Sequence, residues 1–199
     1  MKYFRWTHQS TDESGTLAGT LTLNLETQVI WKLSEGNFIE GWNSHTVAHC
    51  KNIASCADYP FTIPELPVYS ARLKTSVENY AGDAVQFLPI KVIEIRSGKS
   101  SSGYFIGNLL RIVDCLDRDF STYQLWTEEN LLFWEKRPQM LGKFCDVKRA
   151  VLNVGRIGES PLFRLWGWET MIIVREDIKA QIEQAEMKDC LFTELDLVE

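Results

Sequence analysis

Hydrophobic residues change their period twice between Ser160 and Leu195, and that change marks the most legible unit of the chain. Leu162 to Trp166 is a short apolar run rich in strand formers; Gly167 interrupts it, and Met171 to Val174 is a second run. Ile178, Ile182 and Ala185 then fall at i, i+4 and i+7, the spacing of one helix face. From Cys190 to Leu195 alternation returns, with Leu191, Thr193 and Leu195 on one side and Phe192 and Glu194 on the other. The order strand, strand, helix, strand, each with a face to bury, predicts an α+β fold. Its sheets are expected to be mixed and largely antiparallel, with a few packing helices.

The same reading extends to the rest of the chain. Lys2 to Trp6 and Thr20 to Leu25 read as strands, separated by a polar loop from Thr7 to Gly19. Gln28 to Leu33 and Asn37 to Trp42 read as two more strands around a Ser34-Glu35-Gly36 turn. Ser44 to Asp58 fits either a weakly amphipathic helix or an irregular connection. Three prolines (Pro60, Pro64, Pro67) make Tyr59 to Pro67 an extended connector. This connector is also the expected boundary between a β-rich N-terminal subdomain, residues 1–60, and an α+β domain, residues 61–199. The two are expected to pack as one unit.

Ser70 stands where a helix N-cap belongs, Leu73, Val77 and Tyr80 form the stripe to be buried, and Gly82 is the stop. Strands follow at Val85 to Leu88 and Ile90 to Ile95, broken at Pro89, and at Tyr104 to Val113 after a flexible turn. Tyr123 to Trp126 and Leu131 to Trp134 read as strands, and Val147 to Val154 as a strand or short helix.

Composition narrows the function classes. The 199 residues are 45% hydrophobic and 24% charged, as in an ordinary globular protein. A chain of this size buries roughly 70% of its unfolded surface, enough for a core without staples. The net charge of −6 argues against non-specific binding to nucleic acid or anionic membrane and suits a basic partner. No signal-length apolar segment or membrane-length run is present. The five cysteines form no CxxC pair, which points to free thiols in a reducing, cytoplasmic compartment.

Four local patterns invite a chemical reading. Gly98-Lys99-Ser100 resembles part of a phosphate-binding loop, but Ile93 stands where the first glycine belongs and a strand follows. Asp117, Asp119, Ser121 and Glu128 match calcium-loop positions, with Thr122 in place of the required glycine. His45, His49, Cys50 and Cys56 offer two nitrogens and two sulfurs to a metal at an unusual spacing. No nucleophile elbow is present, and all three histidines lie in the first quarter of the chain. No catalytic, cofactor-binding or metal residue is assigned.

Two features point instead to protein–protein contact. Seven tryptophans are many for this length, and tryptophan is enriched among interface hot spots. Trp166 and Trp168 share a parity, so an extended segment would project both to one face. From Glu176 onward eight acids, Glu183 and Glu186 among them, face two lysines, Lys179 and Lys188. Trp166, Trp168, Glu183 and Glu186 are the expected partner-binding residues.

Three blocks in order carry a family resemblance: Leu66 to Val92, Tyr104 to Ser121, and Ser160 to Glu183 with its Phe163-Arg164 pair. Their order resembles a bacterial immunity-protein family of polymorphic toxin systems. The resemblance covers about residues 61–199. It implies a non-enzymatic, cofactor-free protein that binds and neutralises a cognate toxin in the cytoplasm of the cell that makes it. Two other classes remain: a structural or adaptor protein of a phage or secretion assembly, and a small enzyme with an unrecognised site.

Overall fold

The computed structural model describes residues 1–8 and 19–199, so most of the loop expected from Thr7 to Gly19 lies outside the described residues. The elements are β1 (Tyr3–His8), β2 (Leu21–Leu23), α1 (Thr27–Ser34), β3 (Val47–Cys50), β4 (Thr62–Ile63), β5 (Val68–Ser70) and α2 (Ala71–Ala81). Then come β6 (Val85–Glu94), β7 (Ser100–Leu109), β8 (Ile112–Val113), β9 (Thr122–Leu125), β10 (Phe144–Arg149), β11 (Val151–Asn153) and α3 (Val154–Ile157). The closing unit is β12 (Leu162–Leu165), β13 (Trp168–Arg175), α4 (Glu176–Gln184), β14 (Cys190–Glu194) and β15 (Asp196–Val198).

Two large sheets organise these elements. One has the order β14-β1-β13-β12-β8, the other β4-β2-β3-β6-β7-β5, and the pairs β9/β10 and β11/β15 form two small ribbons. Most pairings are antiparallel, and β8/β12, β3/β6, β2/β4 and β11/β15 are parallel. The fold is therefore α+β with mixed, largely antiparallel sheets. Strands from both sides of Pro60 take part in each large sheet: β1 lies between β13 and β14, and β3 beside β6. No helix among the described residues is long and apolar enough to cross a membrane.

Burial explains the strand positions. β12 is buried at all four residues, as a strand covered on both faces should be. Phe4 and Trp6 of β1 join one apolar cluster with α2 and α4, including Leu73, Val77, Ile178 and Ile182. Tyr3 of the same strand joins the opposite cluster with Phe144, Leu152, Phe163 and Ile173. A third cluster, with Leu21, Leu33, Leu88 and Ile106, fills the space beneath α1.

The helices begin where local chemistry directs. The Ser70 hydroxyl accepts from Leu73 N–H at 3.2 Å, so the expected N-cap is present, and Gly82 ends α2 at φ +52. Tyr80 is 38% exposed, and Ser76 and Ala81 are buried in its place. α4 buries Ile178 and Ile182, while Ala185 lies just past its end. Arg175 forks onto Asp177 in its first turn and holds that carboxyl below its usual range.

Several expected elements are corrected. Gln28 to Leu33 is the helix α1, because Val29 and Leu33 also share a helix face and Leu33 is fully buried. Asn37 to Trp42 is irregular; Trp42 Nε1 donates to Pro89 O at 2.9 Å, and Ile39 N–H to Gln86 Oε1 at 3.0 Å. Within Ser44 to Asp58, β3 forms, followed by a single 3-10 turn at Ile53–Ser55. Pro89 does not break β6. Lys91 N–H donates to Thr46 O on the β3 side, and Pro89, two residues earlier on that edge, lies beyond the end of β3. Leu131 to Trp134 is a turn running into a 3-10 segment, with Phe133 at φ +61. β14, by contrast, keeps the expected alternation, with Cys190 and Phe192 packed on the core and Leu191 46% exposed.

Candidate functional site: an aromatic groove and a buried arginine

The hairpin between β12 and β13 turns on Gly167, whose φ of +81 suits glycine, and an added Cβ would lie 3.0 Å from the Phe144 ring. The register pairs Leu165 with Trp168, so Trp166 and Gly167 form the tip. The segment is thus bent where the parity argument needed it extended, and Trp166 and Trp168 take different surroundings. Trp166, 39% exposed, stands edge-on to Phe144 at 6.4 Å, with the Arg118 guanidinium 5.8 Å from its ring. Asp114 holds Arg118 there through two 3.0 Å bonds. Trp168 lies under the Arg5 guanidinium at 5.4 Å, and half of it is buried against the Phe144 cluster.

Trp168 lines a groove of about 400 Å³, together with Trp31 of α1, Trp126, Met140, Phe144 and Cys145. Its rim carries Glu35, Arg137 and the half-buried pair Lys143–Glu169 at 2.8 Å. Trp31 is 49% exposed. Just outside, Leu132 and Phe133 are exposed as well, beside Lys136 and Arg137. Trp, Met and Arg are the residue types enriched at protein interfaces. Sequence reasoning missed Trp31 and Trp126 as groove residues. The tryptophan count was the available signal, but it could not say which rings meet.

Glu183 and Glu186 are elsewhere. Glu183 pairs with Lys179 on the outside of α4, and Glu186, exposed, follows the helix at φ +50. The buried side of α4 belongs to the Trp6 cluster, whereas Trp168 packs with the Phe144 cluster on the other face of the sheet. The four expected residues are therefore divided between two layers.

A small cavity adjoins the groove. It has a volume of about 30 Å³, and Ser34, Glu169 and Thr170 belong to both linings. Its other walls include His8, Tyr59, Glu65 and Arg164. Arg164 is 2% exposed, and Nη1 donates to Leu33 O at 2.7 Å and to Ser34 O at 2.8 Å. These are the last carbonyls of α1, where a cation is favoured by the helix dipole. Nε and Nη2 have no partner among the described residues. Burial pushes the Arg164 and His8 pKa values down and those of Tyr59 and Tyr69 up. Near neutral pH the cavity thus holds a charged guanidinium beside neutral rings.

The other sequence motifs resolve into local structure. Gly98, at φ +69, belongs to the turn of the β6–β7 hairpin. One Asp117 oxygen accepts from Asp119 and Phe120 N–H at 3.0 and 3.1 Å, an Asx turn. His49 and Cys50 are neighbours on β3 and point to opposite faces, which parts the proposed ligands. Among the described residues no three His, Cys, Asp or Glu side chains cluster as a metal site would require. Burial raises the Cys56, Cys115 and Cys190 thiols to about 12, so they carry little thiolate at neutral pH.

Taken together, the fold and its surface define an α+β protein of two large sheets with a tryptophan-lined groove that adjoins the cavity of a buried arginine. The chain belongs to an immunity protein family, Imm11, whose model matches residues 63–196. No curated protein matches it.

Proposed function

We propose that this protein binds a cognate bacterial toxin and neutralises it through a stable complex, in the cytoplasm and without catalysis or cofactor. The observation that carries this reading is the family match, which spans β5 to β14 and both of the longest helices. The groove supports it. Trp31, Trp126 and Trp168 supply rigid aromatic area around a concave surface, the composition of an interface centre. Trp166 extends that contact at the hairpin tip. Glu183 and Glu186 lie on another layer, and their part is long-range attraction of a basic toxin rather than contact with the groove.

The test uses the cognate toxin, sought among the products of the adjoining genes, co-expressed for growth rescue and purified for calorimetry. Trp31→Ala with Trp168→Ala is expected to weaken binding by ~100-fold or more and to abolish rescue, since hot-spot truncations cost about 2 kcal/mol or more each. Circular dichroism and the urea midpoint verify that the variant is folded. Full rescue and unchanged affinity in a folded double variant would remove the groove from the contact. A toxin left fully active by a saturating amount of the unaltered protein would remove the immunity reading itself.

A further inference from the structure

Half of the Arg164 guanidinium has no partner among the described residues. The side chain is 2% exposed, and Nη1 alone is used, by the Leu33 and Ser34 carbonyls. Glu169, an acid of the same cavity wall, is engaged by Lys143 at 2.8 Å and by Gly167 N–H at 3.4 Å. The Glu65 side chain stands at the exposed mouth. Both of the Glu169 bonds fall on its Oε1, and its charge acts on Arg164 without a hydrogen bond; together with the end of one short helix it offsets only part of the cost of burying the guanidinium. Nε and Nη2, both unpartnered among the described residues, form the guanidinium edge whose two N–H bonds run parallel. That edge matches a carboxylate and takes it bidentately.

The cavity beside Arg164 sets the size of what can enter. About 30 Å³ holds roughly one or two waters or the head of one carboxylate, and nothing larger. Its position sets the route. Ser34, Glu169 and Thr170 are shared with the aromatic groove, so a side chain on a segment lying in the groove can reach the arginine. The geometry points to a carboxylate socket: the Nε–Nη2 edge of Arg164 receives an aspartate or glutamate side chain of the bound partner, presented along the tryptophan groove. The protein-borne source rests on the binding function proposed above; the socket itself does not. It also qualifies the role of charge, because an acidic protein here reserves one buried cation for an acidic group of its partner.

The readout is the Arg164 Nε–H resonance in the intact protein, assigned through the arginine's own side-chain carbons. Sodium formate is the probe for the socket, against sodium chloride at equal ionic strength. Formate is expected to move the resonance downfield and to saturate, and chloride to leave it in place. Binding of the cognate toxin is expected to move it likewise without formate and to prevent formate from binding. Arg164→Lys places a point charge that cannot span both oxygens, and toxin affinity should fall by ~10-fold or more. The formate titration needs no variant, so misfolding of Arg164→Lys leaves the idea testable.

A resonance moved by neither formate nor toxin overturns the socket and leaves a water-filled cavity. In formate-free protein, an upfield move on Glu65→Gln or Glu169→Gln as large as the downfield move that formate gives also overturns it, by showing an internal carboxylate on Arg164. A response to formate with none in the toxin complex overturns the protein-borne source. If the toxin does not bind at all, the immunity reading falls, while the formate result still decides the socket.

Discussion

A Cβ added at Gly107 would sit 2.2 Å from Cε2 of Tyr69, inside the ring's own volume. That ring has no room to retreat. Tyr69 stacks on Trp6 at 5.4 Å, and Trp6 is packed in turn by Tyr59 at 4.8 Å and Phe192 at 5.8 Å. Gly107 is thus set by the aromatic stack that joins β1, β5 and β14, and its φ plays no part. Gly107→Ala is expected to destabilise the protein by about 3 kcal/mol, the upper range for overpacking. The urea midpoint should fall with little change in slope. An unchanged midpoint would mean that the stack yields freely. At the same scale, Arg164 was legible only as half of a Phe-Arg pair, and nothing local announced a fully buried cation. Its acceptors, the Leu33 and Ser34 carbonyls, lie about 130 residues away.

Among the elements, α2 shows how a local signal acquires a distant support. Ser70 caps the helix, as its position before an amphipathic run predicts. Its hydroxyl in turn donates to Asp58 Oδ1, and Asp58 Oδ2 accepts from Lys188 N–H at 3.0 Å, past the end of α4. Asp58 is 7% exposed and ties the start of α2 to the connection before β14. Ser70→Ala is expected to cost about 1–2 kcal/mol. Asp58→Ala should cost more, about 3 kcal/mol, because it strands a part-buried hydroxyl and a part-buried backbone N–H at once. Guanidinium unfolding of the two variants checks the order; equal losses would mean that the bond to Lys188 adds nothing. α1 teaches the converse lesson. Val29, Trp31 and Leu33 alternate, and Val29 and Leu33 are also four apart, so the pattern fits strand and helix alike. The burial of Leu33 and the arginine against the helix end make it a helix.

For the molecule as a whole, charge and topology make separate statements. The net charge of −6, with the acids concentrated after Glu176, is a field that acts before contact. For a basic toxin the association rate is expected to fall roughly tenfold from ~0.02 to ~0.5 M salt, with dissociation changed far less. Stopped-flow kinetics over that range checks it; a flat or rising association rate would exclude steering. Topology cannot be read from such sums. β1 lies between β13 and β14, so the first described residues of the chain complete a sheet made otherwise from its second half.

What the residues settled alone is whatever depends on near neighbours. The closing β12–β13–α4–β14 unit, the Ser70 cap, the Gly82 stop and the α+β class all rest on periods and caps a few residues long, where sterics and local hydrogen bonding decide. The groove and the arginine cavity had no such signature. Trp31, Trp126 and Trp168 come from three separate segments, and Gly167 reverses the chain where parity assumed it straight. Which rings meet, and which cation is buried at a cavity, follows from sheet order and from where the end of α1 meets Arg164 of β12. Those are long-range burial energies, and only the folded chain evaluates them.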